Sequence, residues 1–415
     1  MSTARRPPLP DGPYLIVGLA RSGVAAARML AGHGEVLAVD SGRPEVPADV
    51  QAQLDSDGLD LLERAACVVK SPGVPNEAPV IARARELGLP VVGELELAWR
   101  LLPNRFVAVT GTNGKTTTVE LLGAIWRAAG LPVAVAGNVG TPLSALVGAV
   151  EADATVVCEV SSFQAEDAAG FAPDVGVLLN LTPDHLDRHG SFEAYRDAKL
   201  SLFVRQTPDQ VAIAPDWIEL PGEGRRLPLA DPPLPADEIR LRGPHNLENA
   251  SAAATAALAA GVPGEAVAEA LRGFAGVPHR LEELGTVDGV LYVNDSKATN
   301  VSAAARAIES FFAGVHVILG GSLKGGGFED LREPVAERCH ACYLIGEAAA
   351  RLATDLEPAG VPLHRCGDLD SAVAAARAAA RPGEVVLLSP ACASYDQFRD
   401  YEDRGDRFRA LVSPE

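Results

Sequence analysis

The chain has few cysteines and a marked deficit of positive charge. Six cysteines in 415 residues cannot build a disulfide scaffold, so the sequence fits a reducing compartment. Lysine and arginine total 36 against 55 acidic residues, and the formal net charge is −19. This balance argues against a nucleic-acid backbone or an anionic membrane as the main partner. Anionic small molecules are still allowed, because a local site can be cationic on an acidic protein.

Long apolar runs are also missing. The run at residues 14–20 ends at Arg21, far short of the roughly 20 residues that a membrane-spanning helix needs. Residues 1–12 carry arginines and prolines with no apolar stretch behind them, so we expect no export signal. We therefore expect a cytoplasmic protein that neither inserts into a membrane nor binds nucleic acid.

The composition is that of a globular protein with several cores. Apolar residues make up 47% of the chain and charged residues 22%. A length of 415 residues predicts roughly two to three domains. Strand-like runs alternate with helical patterns throughout, which is typical of an α/β fold. A second unit begins near residue 101 and a third near residue 276.

The first unit begins like a dinucleotide-binding fold. Predicted elements are a strand at residues 14–17, a glycine turn at 18–23, a helix from there to residue 31, and a strand at 35–39 that ends on Asp40. The turn lacks the middle glycine of the dinucleotide fingerprint. It either receives a phosphate at the helix N-terminus or binds nothing. Asp40 could take a ribose hydroxyl.

The strongest motif lies at residues 110–118, between a predicted strand at 106–109 and a predicted helix at 119–129. Backbone N–H groups of such a loop cradle phosphates, while Lys115 reaches the outer phosphates and Thr116 holds Mg²⁺. Val109 replaces the first glycine of the usual phosphate-loop pattern, but the strand and helix context is right. We predict a nucleotide-phosphate site.

Metal-binding side chains follow two neighbouring strands. Glu159 ends a strand that starts at residue 155, and His185 follows a strand at 175–179. Carboxyl ends of parallel strands meet at one sheet edge, so both side chains could hold a metal or its water beside Thr116. A loop histidine taken alone is more often structural or solvated.

Lys199 falls on the apolar face of a predicted helix at residues 192–204, with Tyr195, Leu202 and Phe203 at helical spacing. One interpretation buries the stem and leaves the ammonium in water. The other places a neutral amine in a low-dielectric site, where it could take up CO₂ and become a metal-binding carbamate.

Residues 206–244 are rich in proline, glycine and aspartate and predict loops with short edge strands. A helix is then predicted at 250–260, in an alanine-rich stretch. Asn246 and Asn249 precede it, either as caps or as polar contacts to a base or ribose.

The third unit predicts a small doubly wound domain, with strands at residues 289–293, 315–319, 343–345 and 385–388. Polar clusters follow three of these strands, at residues 294–300, 320–326 and 389–398. Each cluster alone fits turn chemistry, but three at one expected sheet edge favour a ligand site. Cys339 and Cys342 lead straight into a strand, so buried, inert thiols are favoured over a zinc or redox pair.

Taken together, these motifs resemble the Mur ligase family, and more narrowly its D-glutamate-adding branch. The phosphate loop and residues 159–164 and 243–249 are general to the family, while residues 278–280, 294–300 and 389–398 are similar to that branch. The resemblance implies an α/β protein of three domains. These are a Rossmann-like UDP-substrate-binding domain at 1–98, a central ATPase with a mostly parallel sheet at 99–276, and a Rossmann-like amino-acid-binding domain at 277–415.

The resemblance also implies the reaction. ATP phosphorylates the carboxylate of UDP-N-acetylmuramoyl-L-alanine, and the amine of D-glutamate attacks the acyl phosphate to give an amide and phosphate. Implied cofactors are ATP, Mg²⁺ (two ions) and a carbamylated Lys199 in a monomeric enzyme. Two alternatives stay open: a sister ligase such as a folylpolyglutamate synthase, and a nucleotide-binding module without ligation chemistry.

The resemblance assigns roles residue by residue. Lys115, Lys199 and His185 are expected at the reaction centre. The metal ligands would be Thr116, Glu159, His185 and Lys199. Nucleotide contacts would come from Gly111, Thr112, Asn113, Gly114, Lys115, Thr116, Thr117, Asn249, Arg280 and Asp295. The muramoyl substrate and its uridine would contact Asp40, Ser41, Arg43, Gly73, Asn138, Ser161 and Gln164. The D-glutamate pocket would be formed by Lys297, Thr299, Lys324, Ser394 and Tyr401.

Overall fold

A computed structural model of the protein describes residues 6–241, 243–323 and 326–412, apart from the side chain of Asp187. Within these ranges the chain forms one four-stranded sheet and two six-stranded sheets. It divides into two compact units. The first runs to Glu238 and resumes over Glu248–Arg272, and the second takes Ile239–Leu247 and continues from Gly273.

The first sheet is parallel throughout and lies in the first unit. Its strands are β1 (Tyr14–Val17), β2 (Val36–Val39), β3 (Cys67–Lys70) and β4 (Val91–Gly93), in the order β2-β1-β3-β4. The helices around it are α1 (Arg21–Leu30), α2 (Pro79–Glu86) and α3 (Glu94–Leu101). The strand, turn, helix and strand predicted from the sequence are confirmed.

The second sheet also belongs to the first unit and is parallel throughout. Its strands are β5 (Arg105–Thr110), β6 (Val133–Gly137), β7 (Thr155–Glu159), β8 (Val175–Leu178), β9 (Val211–Ile213) and β10 (Arg225–Leu227). Their order is β10-β9-β8-β5-β7-β6. The helices are α4 (Lys115–Ala128), α5 (Ser162–Glu166), α6 (Leu186–His189) and α7 (Phe192–Val204). Because β8, β5 and β7 are neighbours, the segments that follow them start from one sheet edge, as predicted.

Two helices follow the second sheet, α8 (Pro244–Ala259) and α9 (Gly264–Gly273). Helix α8 begins earlier than the predicted start at residue 250. Asn246 and Asn249 therefore lie inside the helix, and the interpretation of these residues as caps is wrong. The polar residues hid this start, because they interrupt the apolar pattern from which a helix is recognised.

The third sheet lies in the second unit and is mixed. Its strands are β11 (Glu282–Val287), β12 (Val290–Asn294), β13 (Val315–Gly320), β14 (Cys339–Ile345), β15 (Leu363–Gly367) and β16 (Val385–Leu388). Their order is β11-β12-β16-β13-β14-β15, and only the β11–β12 pair is antiparallel. The helices are α10 (Val301–Glu309), α11 (Arg332–Arg338), α12 (Ala349–Leu356), α13 (Leu369–Ala379) and α14 (Tyr401–Val412).

The third sheet is buried on both faces. Val315, Val317 and Leu319 of β13 pack into one apolar cluster, and Ile318 packs into another on the opposite face. Such two-sided burial explains why residues 317–319 of this strand form a continuous apolar run rather than an alternating one.

A buried ion pair joins the first sheet to the second within the first unit. Lys70 Nζ at the end of β3 lies 2.7 Å from Asp167 Oδ2, just after α5, and both side chains are almost fully buried. Nearby, Arg188 donates hydrogen bonds to the carbonyls of Pro72, Gly73 and Val74. These contacts fix the loop after β3 against the second sheet. No helix in the described ranges is long and apolar enough to cross a membrane.

Candidate active site

The loop between β5 and α4 has the backbone geometry of a phosphate cradle. Gly114 has a φ of 85°, in the left-handed region that favours glycine. A Cβ atom at this position would lie 2.1 Å from Oδ1 of Asn249. Helix α4 begins directly afterwards at Lys115, so the N–H groups of its first turn and its positive dipole end face the loop.

Hydrogen bonds hold this loop in shape from the side of β8. Thr112 Oγ1 accepts from Thr182 N at 3.0 Å and lies 3.0 Å from the hydroxyl of Tyr195. Asn180 Oδ1 accepts from Asn113 N at 2.9 Å, and Asn180 Nδ2 donates to Asn113 O at 3.2 Å. The loop is therefore preorganised by side chains outside it.

Two lysines meet on the same carbonyl of the loop. Lys115 Nζ and Lys199 Nζ each donate to Gly111 O at 2.8 Å. Lys199 is only 2% exposed, so its ammonium is not in water as the snorkelling interpretation required. Burial, reinforced by the charge of Lys115, lowers the pKa of Lys199 to about 6. Much of this amine is therefore neutral at pH 7.

Glu159 places a carboxylate beside the loop. Its side chain is buried, and Oε1 accepts from Asn138 Nδ2 at 3.0 Å. Within the described residues, Oε2 is buried without a hydrogen-bond partner. A buried carboxylate oxygen left in this state fits a divalent cation, which takes oxygen ligands. Thr116, at the start of α4, is also buried. The donor set therefore fits Mg²⁺ held next to nucleotide phosphates.

His185 lies at the same sheet edge but is half-exposed. Its Nε2 is 3.6 Å from Asp184 Oδ2, and its ring packs edge-on against Phe163 at 4.9 Å. His189, which the sequence analysis missed, is more firmly held. Its Nε2 lies 3.0 Å from Ser162 Oγ and its Nδ1 2.9 Å from Glu166. The spacing of four residues from His185 to His189 was the signal that could have found it.

Ser161 and Gln164, predicted to contact substrate, form the capping box of α5. Ser161 Oγ accepts from Gln164 N at 3.3 Å, and Gln164 Oε1 accepts from Ser161 N at 3.0 Å. This reciprocal pair fixes the start of the helix directly after Glu159. Both residues thus have a structural role in the protein alone.

The uridine-side residues lie around the turn after β1. Asp40 Oδ2 accepts from Leu19 N at 2.7 Å, and Oδ1 accepts from Gly42 N at 2.8 Å. Asp40 therefore braces the glycine turn. Ser41 is exposed, and Arg43 pairs with Asp55 at the surface.

A cavity of about 710 Å³ opens beside this turn. Part of its lining comes from the start of α1 and part from the segment after β6. The lining residues include Leu19, Ala20, Arg21, Pro44, Glu45, Pro47, Pro142, Ser144, Ala145 and Val147. Segments next to the first sheet and next to the second sheet therefore line the same cavity within the first unit.

Asp295 is the buried centre of the polar edge in the second unit. Its Oδ2 accepts from Ser389 Oγ at 2.8 Å, and Oδ1 accepts from Leu281 N at 3.1 Å. Burial raises the pKa of Asp295 to about 7, against the opposing effect of these hydrogen bonds and of Arg280.

The predicted D-glutamate residues are partly brought together. Lys297 Nζ lies 3.4 Å from the hydroxyl of Tyr401 and 5.1 Å from its ring centre. Ser394 is buried, and Thr299 N donates to Lys297 O at 2.8 Å. Lys324 lies outside the described residues.

Arg404 is a structural residue that the sequence analysis missed. It is 1% exposed and donates to Ser296 Oγ at 2.9 Å and to the carbonyls of Ser296, Cys392 and Ala393. It therefore ties the polar segment after β12 to the one after β16. In the sequence it stands among charged residues of α14, where an exposed arginine would look the same.

The two cysteines of the C-x-x-C pair are both buried. A contact with Cys339, together with burial, holds the pKa of Cys342 well above its usual value. This supports the interpretation of inert thiols, because the reactive form is the thiolate.

Comparison with known proteins decides the family. Residues 109–219 match the Mur ligase middle domain, and residues 279–392 match the Mur ligase glutamate ligase domain. A protein of Acidobacterium capsulatum named UDP-N-acetylmuramoylalanine–D-glutamate ligase is 44% identical over 440 residues, covering 96% of this chain and 95% of that protein. The chain belongs to the Mur ligase family.

Further relatives agree. A protein of the same name from Pelotomaculum thermopropionicum is 41% identical, covering 96% of each chain. The crystal structure of MurF ligase from Thermotoga maritima in complex with ADP matches with a TM-score of 0.60 at 17% identity, covering 97% of this Mur ligase and 94% of that chain. The crystal structure of UDP-N-acetylmuramate–alanine ligase from the same organism matches with a TM-score of 0.58 at 19% identity. The match covers 95% of this chain and 97% of that chain. At these low identities the structures support the α/β fold alone.

The cradle at Gly114 leads to a first prediction. Replacing Gly114 with alanine forces a left-handed conformation and drives a Cβ into Asn249. We expect ATP affinity to fall about tenfold or more, a loss of about 1.4 kcal/mol, because the clash with Asn249 moves the loop out of the conformation that holds the phosphates. The measurement is calorimetric titration with ATP. Gly130→Ala is the matched control, because Gly130 also has a positive φ but open space around it. Equal ATP affinities for the two variants would contradict the cradle.

The burial of Asp295 leads to a second prediction. Its folded pKa of about 7 lies above the unfolded value of about 3.9. Folding therefore favours the protonated form, and ionisation destabilises the native state as pH rises from about 4 to 7. Asparagine cannot ionise. The free energy of unfolding of Asp295→Asn, relative to that of wild type, should therefore rise across that pH window, by a few kcal/mol at most. Urea unfolding at pH 5, 6, 7 and 8 measures this difference. A difference that stays constant with pH would contradict the shifted pKa.

Proposed function

We propose that this Mur ligase joins D-glutamate to UDP-N-acetylmuramoyl-L-alanine with ATP, giving ADP, phosphate and an amide in peptidoglycan precursor synthesis. The observation that carries the proposal is the edge of the second sheet. There a phosphate cradle, two lysines on one carbonyl and a buried carboxylate oxygen lie together, in a chain 44% identical to a protein named for this reaction.

The chemistry explains why cations are needed there. A carboxylate acylates poorly until it is phosphorylated, and a carboxylate that approaches ATP meets like charge. We assign to Lys115 the role of screening the outer phosphates, and its position in the loop at the start of α4 supports this role. The N–H groups at the start of α4 add fixed positive dipoles. Asn249 packs against the same loop, which fits its predicted place on the nucleotide side.

We assign Mg²⁺ binding to Thr116 and Glu159, with His185 at the edge of the same region. The metal would supply charge neutralisation and orientation of the phosphates. The unpartnered oxygen of Glu159 supports this assignment. We propose two ions, as in the resemblance, with Lys199 contributing to the second.

Carbamylation of Lys199 fits its surroundings. A pKa of about 6 leaves a neutral amine, whose lone pair can attack the carbon of CO₂. An N–C bond forms, one N–H proton leaves to solvent, and the product is an anionic carbamate. This exchanges a buried amine for a negative group that a metal can neutralise.

The amino-acid and uridine ends are assigned to different places. Lys297, Thr299, Ser394 and Tyr401 lie in the second unit, where lysine and hydroxyl groups suit a dicarboxylate. Lys324 completes the predicted D-glutamate set. Arg280 and Asp295, from the same part of the chain, stay assigned to the nucleotide. The uridine end is assigned to the cavity near Asp40, Ser41 and Arg43. We propose a cytoplasmic monomer with domain boundaries at residues 98 and 276.

The test is Mg²⁺-dependent phosphate release from ATP with UDP-N-acetylmuramoyl-L-alanine present. D-glutamate, L-glutamate, L-alanine and meso-diaminopimelate are added in separate reactions. We expect release with D-glutamate and a product whose mass matches the new amide. Release with another amino acid alone would assign the chain to a sister ligase. ATP binding without release in any reaction would favour a non-ligating module.

A further inference from the structure

Three metal-ligating side chains meet at the amino ends of adjacent strands in the second unit. His316 is the second residue of β13, His340 is the second residue of β14, and Glu384 directly precedes β16. Strand β13 lies between the other two in the sheet. This edge is opposite to the carboxyl ends of the strands, where the predicted D-glutamate residues begin. We propose that His316, His340 and Glu384 form a binding site for a divalent transition-metal ion, with Zn²⁺ as the best fit.

The donor atoms are already close. His316 Nε2 lies 3.0 Å from Glu384 Oε2, and His340 Nδ1 lies 2.9 Å from Glu384 Oε1. Among the described residues this is a group whose ligand atoms all fall within 4.8 Å of one another. A tetrahedral ion with bonds of about 2.1 Å separates its ligand atoms by about 3.4 Å. Small side-chain rotations therefore suffice to admit the ion.

A β-bulge brings His340 into this group. The register of β14 against β13 shifts between Val315 and His316. Val315 pairs with Cys339 and His316 pairs with Ala341, so His340 is the extra residue on β14. A bulge re-aims the side chain of the extra residue. Regular pairing would give His340 and Cys342 the same face. Instead Cys342 and Cys339 share a core cluster, while His340 points out to Glu384.

Second contacts orient two of the ligands. The hydroxyl of Tyr343 lies 3.0 Å from Nδ1 of the buried His316. The ion would replace the proton that Nε2 shares with Glu384, and His316 would then carry its proton on Nδ1 and donate it to the Tyr343 hydroxyl. The backbone N–H of Arg381 donates to Glu384 Oε2 at 2.8 Å. Such partners are what distinguishes a metal site from a surface ion pair.

The donor set selects the class of ion. Two imidazoles and one carboxylate with an open fourth position match a zinc site, and also accept Co²⁺, Ni²⁺ or Cu²⁺. Mg²⁺ and Ca²⁺ prefer oxygen ligands, so they should not compete. The site is thus chemically distinct from the Mg²⁺ region near Glu159. The three ligands lie at the amino ends of three neighbouring strands, so we expect the ion to have a structural role and to stabilise the second unit.

The test is a calorimetric titration of the full-length, tag-free protein with ZnCl₂, carried out in excess Mg²⁺. We expect the wild-type protein to bind one Zn²⁺ per chain. In His340→Ala and in the isosteric Glu384→Gln, the Zn²⁺ affinity should be at least about tenfold weaker. His340 is exposed, so its replacement should not disturb folding. Tyr343→Phe should weaken binding by about tenfold, which a role of Tyr343 in packing alone would not do.

Two controls make the result decisive. His33→Ala removes an exposed histidine elsewhere and should leave the Zn²⁺ affinity unchanged. Thermal unfolding with and without Zn²⁺ should show a stabilisation in wild type that His340→Ala lacks, while ligase activity in Mg²⁺ is equal in both. Zn²⁺ binding of equal affinity in wild type, His340→Ala and Glu384→Gln would overturn the proposal. So would the absence of Zn²⁺ binding in wild type.

Discussion

Replacing Lys115 with alanine should lower kcat for phosphate release by about 10³-fold, the scale of losing a main electrostatic contact to the reacting group. The reason is geometric. Lys115 Nζ is held by the carbonyls of Gly111 and Thr112 inside the phosphate loop, at 2.8 and 2.9 Å. No other cation of the loop itself can replace it. Steady-state kinetics with saturating ATP and D-glutamate measure the effect.

A second lysine variant serves as the control for Lys115. Lys297→Ala also removes one positive charge, but from the second unit beside Tyr401. It should raise the apparent KM for D-glutamate more than that for ATP. Near-normal kcat in Lys115→Ala would contradict the assignment of the phosphate loop. The opposite ranking of KM values in Lys297→Ala would contradict the D-glutamate pocket.

Replacing Lys199 with alanine should lower activity by about 10²-fold, as expected when a group that organises a metal region is lost. The lysine is buried, and its lowered pKa favours the neutral amine that reacts with CO₂. A short-chain carboxylate such as acetate should restore part of the activity of Lys199→Ala, because it supplies the missing anion. Activity is measured at rising acetate concentration.

Lys199→Arg separates the two roles of this side chain. Arginine keeps a positive charge but cannot form the carbamate under these conditions. If the carbamate is the active form, Lys199→Arg is as inactive as Lys199→Ala and acetate restores only the alanine variant. Full activity in Lys199→Arg, or no response of Lys199→Ala to acetate, would contradict the carbamate.

Local patterns were enough to predict most of the architecture. Continuous apolar runs such as residues 385–388 marked strands of sheets buried on both faces, and the structure confirms this strand. The phosphate loop and Glu159 could be placed together, because parallel strands present their carboxyl ends on one side. The sequence pattern predicted that Lys199 and Tyr195 share the apolar face of α7, and both side chains are buried in the structure.

Other features depend on tertiary contacts that leave no local signal. Arg404 is buried because carbonyls from two distant loops surround it, yet its neighbours in sequence are charged. The bulge at His340 arises from pairing with β13, and no residue near it in sequence requires a bulge. The start of α8 was missed for a related reason, since polar residues in its first turns hid the helical period.

The measurement that tests the central claim most directly follows oxygen from the substrate carboxylate. UDP-N-acetylmuramoyl-L-alanine labelled with oxygen-18 in both alanyl carboxylate oxygens is incubated with the enzyme, ATP, Mg²⁺ and D-glutamate. In the proposed ligation, phosphate leaves with one of these oxygens and the amide keeps the other. Mass spectrometry should therefore find one label in each phosphate and one in each product. Phosphate without the label would contradict activation of the carboxylate by ATP.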